Sequence, residues 1–273
     1  MEGVHNFVSV AEAAVREAGR FLRENLDTRA EATLKGDVDL VTKFDTGAQE
    51  ILVGRLLAAY PGHAILAEED LSRTGESGYR WILDPLDGTT NYAHTHPVFS
   101  ISAALEYGQK IILGLVYDPM RDEMFLAATG QGARLNGRPI RVSNVQDLNR
   151  SLLATGFPYD VRTSPVNNMD HWNRFIVRAQ ATRRCGSAAL DLSYVACGRF
   201  DGFWELKLKP WDVAAGALLV TEAGGRISDF AGRTYRIDIP EALATNGFIH
   251  NAMMEVLTEG RDLAHGDGAH GKS

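Results

Sequence analysis

Apolar residues recur at helical spacing near the start of the chain. Phe7, Val10, Ala11, Ala14, Ala18, Phe21 and Leu22 fall on one face, and the pattern predicts an amphipathic first helix. A second helix is expected over 45–59, with Ile51, Leu52, Leu56 and Leu57 inward and a stop at Tyr60-Pro61-Gly62. The period then shortens. Apolar runs at 64–67 and 79–83 read as strands, and after DPLDGTTN three more follow at 98–106, 110–117 and 123–128. Gly108 and Asp118-Pro119 punctuate that stretch, and Asn136-Gly137 reads as a hairpin turn. Beyond it come a strand near 151–155, a helix near 167–180, and a helix from Ser187 to Cys197 ended by Gly198. A strand at 200–206, a small-residue helix at 211–223, strands at 226–229 and 242–245 and a helix from about 247 complete the pattern.

Helix and strand are mixed throughout, with antiparallel hairpins in the middle and helices at both ends. The order predicts an α/β (α+β) layered sandwich of alternating helix and mixed-sheet layers; a doubly wound sheet would need regular βαβ units. No repeat, linker or low-complexity segment divides the chain, so residues 1–260 are read as one domain of two intimately packed halves, roughly 1–145 and 146–260. Residues 261–273, Gly-rich and polar, read as a flexible tail.

Composition adds exclusions. The 273 residues are 45% hydrophobic and 23% charged, enough for a large core. The net charge of −7 and the lack of a Lys/Arg block make nucleic acid an unfavoured partner. No apolar run reaches the roughly 18 residues a bilayer requires. The first residues carry no signal-peptide pattern, so a cytoplasmic protein without membrane attachment is expected. Cys185 and Cys197 flank a predicted helix that would hold them roughly 18 Å apart, too far for a disulfide, and are expected as reduced core thiols.

The chemistry concentrates at WILDPLDGTTNY, 81–92, where an apolar strand runs into Asp84 and Asp87. Two carboxylates about 4 Å apart repel by roughly 4 kcal/mol at an effective dielectric near 20, so such a pair needs a proton or a cation between them. Oxygen-only ligands select hard cations, Mg²⁺ before most others. Pro85 stiffens the link, and the Leu86 carbonyl could point the same way as the carboxylates. Gly88-Thr89-Thr90 supplies backbone N–H groups at an expected helix start, a place for phosphate. A plain turn, with either aspartate capping the next helix, remains the alternative at this point. Three other stretches bear on the choice. Ala67-Glu68-Glu69-Asp70 follows a strand, so Glu68 should emerge at its end; a solvated acidic loop is the alternative. Asp212 of Pro210-Trp211-Asp212 opens an apolar helix, as a metal ligand or a simple cap. Asp45, after Asp39-Leu40-Val41-Thr42, stands at a helix start, and Lys35-Gly36 precedes it on a loop.

Together, WILDPLDGTTNY and PWDVAAGALLVTEAGG, with AEED upstream, resemble the paired signatures of the inositol monophosphatase family, the Mg²⁺-dependent, lithium-sensitive phosphomonoesterases. The resemblance covers about residues 5–259 and implies the layered fold of the family's sugar phosphatases. It implies metal ligation by Glu68, Asp84, the Leu86 carbonyl, Asp87 and Asp212, holding two or three Mg²⁺ ions. It implies phosphate binding by the Gly88 and Thr89 N–H groups, and water activation by Thr89 with Asp45 and with Glu68 close by. Substrate hydroxyls are expected at Gly186, Ser187 and Ala188, where a helix opens, and at Glu205, for which a strand-edge surface charge is the alternative reading. A homodimer is expected on the same ground.

The resemblance ranks an inositol monophosphate first as substrate, ahead of fructose 1,6-bisphosphate and histidinol phosphate; Arg183, Arg184 or Lys209 could meet a second phosphate. A regulatory or RNA-associated binding protein on the same fold is the alternative of another class. His94 and His96 read as loop residues, and Gly130-Gln131-Gly132, lying between strands, as a turn and not a nucleotide-binding loop.

Overall fold

The computed structural model describes residues 4–28, 32–34 and 40–259. The elements run α1 (Val4–Asn25), β1 (Ala32–Leu34), β2 (Leu40–Thr42), α2 (Lys43–Ala59), β3 (Ala64–Ala67), β4 (Leu71–Arg73), β5 (Tyr79–Asp87) and α3 (Thr89–Ala93). The hairpins follow: β6 (Ser100–Tyr107), β7 (Lys110–Asp118), β8 (Glu123–Ala128), β9 (Ala133–Leu135) and β10 (Arg138–Pro139). The remainder is β11 (Leu152–Thr155), α4 (Met169–Ile176), β12 (Ala181–Arg183), α5 (Ala188–Ala196), β13 (Gly202–Leu206), α6 (Pro210–Glu222), β14 (Arg226–Ser228), β15 (Glu241–Thr245) and α7 (His250–Thr258).

An eight-stranded sheet has the order β10-β9-β8-β7-β6-β5-β3-β4, and a five-stranded sheet the order β12-β11-β13-β15-β14. Strand alternation sends successive side chains to opposite faces and so builds the layers. On β5, Trp81 and Leu83 join the cluster of α1 and α2, with Phe7, Leu22, Leu52 and Leu56. Ile82 faces the other way, into a cluster with Leu192 of α5 and Leu219 of α6. Phe203 of β13 closes that cluster from the second sheet. Its neighbour Trp204 faces outward onto Phe175 of α4 and Met253 of α7. The result is five layers: α1/α2, the large sheet, α5/α6, the small sheet, and α4/α7. This is the layered α/β architecture expected.

Boundaries differ in two instructive places. β5 does not stop at residue 83 but continues through both aspartates. The helix expected over 167–180 is confined to Met169–Ile176, and the polar residues after it turn into β12, which pairs parallel with β11. Both cysteines are free and half-buried rather than core residues. Lys35, Gly36, Asp39 and the tail 261–273 lie outside the described residues.

Candidate active site

The site is assembled at the end of β5. On β6, Asp84 pairs with Ser102 and Asp87 with Ser100, so three steps on one strand match two on the other. Residues three apart on a regular strand face opposite sides; the bulge at Pro85-Leu86 cancels that and lets both aspartates face the α5/α6 layer. Proline is tolerated there because a bulge does not need its missing N–H. Asp84 is buried, and its Oδ1 accepts the Leu86 N–H at 3.0 Å.

Gly88 follows at φ +108°, a conformation that favours glycine, and ends the strand. A Cβ there would stand 3.2 Å from the Gly186 carbonyl oxygen, so the turn after β5 lies directly against the segment that opens α5. Thr89 begins α3, and its buried hydroxyl is 2.9 Å from Asp45 Oδ1 and 3.1 Å from the Leu86 carbonyl oxygen. Asp45 comes from the first turn of α2 and is itself buried.

Two helix starts complete the arrangement. Ser187 caps α5, its Oγ accepting the Leu190 N–H. The same hydroxyl donates to Asp87 Oδ2 at 2.6 Å, and Asp87 also accepts the Ala189 N–H at 2.8 Å and the Ala188 N–H at 3.2 Å. Asp212, in the first turn of α6, accepts the Lys209 N–H at 2.7 Å. Ser102 donates to the Trp211 carbonyl and ties that turn to the large sheet.

The acids repel one another. Burial pushes Asp84 well above the usual carboxylate range, and the charges of Glu68, Asp87 and Asp212 push it further. Glu68, half-buried just past β3, shares a hydrogen bond with it. Burial raises Asp212 to about 8 against the opposing pull of the Lys209 N–H. Asp87 is raised by burial but held back by its donors from Ser187, Ala189 and Ala188. The donor set consists of carboxylates and a carbonyl, with no His or Cys, which suits a hard cation. Among the described residues, no group of three or more His, Cys, Asp or Glu side chains is arranged to hold an ion as it stands. Asp87 and Asp212 are turned onto N–H donors instead.

Glu205 does not sit on a sheet edge: β13 lies between β11 and β15. It shares the face of Phe203, toward α5 and α6. Part of its surface reaches solvent, yet the protein packed around it dominates, and burial followed by the Asp191 charge pushes it up to about 8. Asp191 was not singled out from the sequence. Buried in α5, it takes a hydrogen bond from the Cys185 thiol and stands near Asp87. The available signal was an acid early in an otherwise apolar helix, the same signal that exposed Asp212. His94 and His96 are exposed, beyond α3. The Gly130-Gln131-Gly132 turn is closed by Glu222, which accepts the N–H groups of Gly130 and Gly132.

Five layers with an acidic cleft at a bulged strand end define a layered α/β class whose carboxylate-rich site suits a hard cation, and comparison with known proteins narrows it. The profile of the inositol monophosphatase family matches residues 4–263, and the chain belongs to that family. It is 41% identical over 254 residues to Nus factor SuhB of Salmonella typhimurium, covering 92% of this chain and 95% of that one. Against Nus factor SuhB of Escherichia coli the identity is 43% over 232 residues, covering 84% and 87%. Among solved structures, an inositol monophosphatase from Anabaena (Nostoc) superposes with a TM-score of 0.86 at 40% identity, over 94% of this chain and 96% of the other. The extragenic suppressor protein suhB from Bartonella henselae gives 0.89 at 38% identity, over 93% and 99%. Among the described residues no helix is long and apolar enough to cross a membrane.

Proposed function

We propose that this chain is a Mg²⁺-dependent phosphomonoesterase acting on a small phosphorylated polyol, an inositol monophosphate first. The observation that carries the reading is that the charges of Glu68, Asp87 and Asp212 all bear on buried Asp84, with the Thr89–Asp45 pair beside them. Glu68, Asp84, the Leu86 carbonyl, Asp87 and Asp212 would hold the two or three ions. Once bound, Mg²⁺ would relieve the mutual repulsion, polarise the phosphoryl group and raise the acidity of water.

The chain's own residues supply the rest. The Thr89 hydroxyl, donating to Asp45, can accept from a water while passing its own proton to that carboxylate, so the pair would orient and deprotonate the nucleophile. Glu68 is a second acceptor. The Gly88 and Thr89 N–H groups would hold the phosphate, and Gly186, Ser187 and Ala188 would meet substrate hydroxyls across the turn. Glu205, pushed up to about 8, keeps its proton at neutral pH and could both donate to and accept from a polyol. A bisphosphate sugar is the nearest competitor: Arg184 stands beside Gly186 and could meet a second phosphate. One catalytic domain over 1–260, a homodimer and a cytoplasmic location belong to the same proposal.

A second reading is a transcription-associated role, favoured by the similarity to relatives named Nus factor SuhB. Phosphate release from inositol 1-phosphate, fructose 1,6-bisphosphate and histidinol phosphate, in Mg²⁺, in EDTA and in Mg²⁺ with lithium, tests the first. Release that requires Mg²⁺ and disappears in Asp87→Asn supports it. No release from a folded protein that is retained by RNA or a transcription complex at physiological salt would favour the second.

A further inference from the structure

A cavity of about 850 Å³ opens beside α6, and none of the acids of the cleft is among its lining residues. Arg80 of β5 lines it, four residues and roughly 13 Å of strand before Asp84. Its apolar floor is Ile111 of β7, Ala214, Ala217 and Leu218 of α6, and Ile227 of β14.

The rim is basic. Arg80, Lys110, Arg226, Arg233 and Arg236 line the cavity with two acids, Glu106 and Asp238, while a third, Asp229, pairs with Arg233, a net of +2 (five minus three) on a chain of net −7. Three of the cations are already engaged: Arg80 with Glu106 at 2.7 Å, Arg233 with Asp229 at 2.6 Å and Arg236 with Asp238 at 2.8 Å. The other two are not. Among the described residues Lys110 makes no ion pair, and Arg226 reaches only the neutral side-chain oxygen of Asn251, at 3.1 Å. Tyr235 also lines the cavity, but its hydroxyl is buried below the surface, where it feels the charges of Asp212 and Asp238. A concave apolar floor and two free cations are groups of the kind that fix a small anionic ligand.

We infer that this cavity binds a small organic phosphate with an apolar body, at a site separate from the acidic cleft. The two free cations match a dianion, and the Ala/Leu/Ile floor takes the carbon skeleton. The floor belongs to α6, the helix whose first turn carries Asp212, so an occupant presses on the element that positions that acid. The site stands independently of the reading of the cleft as a phosphatase centre.

Calorimetric titration with 1-naphthylphosphonate tests it, because a hydrolase of phosphate esters cannot cleave the carbon–phosphorus bond. In EDTA the acidic cleft repels a phosphonate, whereas the basic cavity does not. The expected result is one phosphonate per chain in EDTA, weakened at least tenfold by the pair Lys110→Glu with Arg226→Glu and unchanged by Asp87→Asn. Neutral 1-naphthalenemethanol should bind at least tenfold more weakly. Failure to bind in EDTA would overturn the proposal, as would binding that appears only with Mg²⁺ and is lost in Asp87→Asn, which would place the ligand in the cleft. Equal affinity for the neutral compound would also overturn it. Circular dichroism of the paired variant guards against misfolding, and Arg226→Gln alone, expected to weaken binding severalfold, provides a milder second variant.

Discussion

Glu205 stands on an interior strand near Asp191, and its carboxyl is pushed up to about 8 from an ordinary 4.5. The unfolded chain therefore ionises this group first. Below 4.5 both states hold the proton and the group is neutral in the balance. Between 4.5 and 8 the folded state holds it alone, so stability falls as pH rises, by at most about 1.4 kcal/mol per pH unit. Solvent reaching the side chain reduces that slope. Glutamine keeps the shape beside Gly156, whose absent side chain leaves room for the carboxyl. The melting temperature of Glu205→Gln, relative to the parent, is expected to climb from pH 5 to 8 and then level off. A difference independent of pH would show that Glu205 is ionised in the fold. Thr89 invites a different test, since its hydroxyl is shared between Asp45 and the Leu86 carbonyl. Thr89→Val keeps the branched shape and should lower Mg²⁺-dependent phosphate release about a hundredfold, while Thr89→Ser restores most of it. Equal rates for Val and Thr would remove the pair from the mechanism.

At the scale of elements, α6 is held unusually close to both neighbours. A Cβ on Gly114 of β7 would lie 2.9 Å from the Ala215 carbonyl oxygen, and one on Gly216 only 2.6 Å from Leu192 of α5. The first obstacle is backbone in the middle of α6, which cannot swing aside; the second is the Leu192 side chain of α5, met from its Cβ outward. Gly114→Ala should cost about 1–3 kcal/mol in chemical denaturation, the usual penalty of overpacking. It should also slow phosphate release, because Asp212 travels with the helix. Full stability in that variant would mean the layers are looser than these distances indicate. Most of this architecture was legible in the sequence: the Ala/Gly face of 211–223 announced close packing, and the apolar periods located α1, α2, α5 and the hairpin strands. The failures have local causes. β12 is three polar-flanked residues that become a strand only by pairing with Leu152–Ala154, a contact invisible to any short window. β5 outran its expected end because Asp84-Pro85 looks like a stop, yet pairing resumes at Asp87 and Ser100 after the bulge. The acids of the cleft were found because acids at strand and helix ends are conspicuous beside apolar runs. Asp191 escaped because, although it stands in the first turn of α5, it has no second acid near it in sequence, and the basic cavity because its cations come from four separate segments.

For the whole molecule, the layers carry a standing conflict. Packing drives α5 and α6 between two sheets, and this brings Glu68, Asp84, Asp87 and Asp212 near one another, where Asp84 rises well above the carboxylate range. Raised acids make the folded state hold protons the unfolded state releases, so the metal-free protein should lose stability on going from pH 6 to 8. A cation bound only by the folded state reverses this. At a hundredfold excess over its dissociation constant it adds about 2.7 kcal/mol, or about 5–10 °C in a chain of this size. Asp84→Asn separates repulsion from binding, since the amide oxygen can still accept the Leu86 N–H. At pH 8 without metal this variant should melt above the parent, because one member of the repelling set is gone. With Mg²⁺ the order should invert, the parent gaining its 5–10 °C and the variant little. Calorimetric melting of both proteins with and without Mg²⁺ gives the four temperatures. A variant that gains as much from Mg²⁺ as its parent would remove Asp84 from the ligand set. A parent indifferent to Mg²⁺, beside a stabilised variant, would leave the acids as mutual repulsion with no cation to answer it, and would turn the argument toward the transcription-associated role.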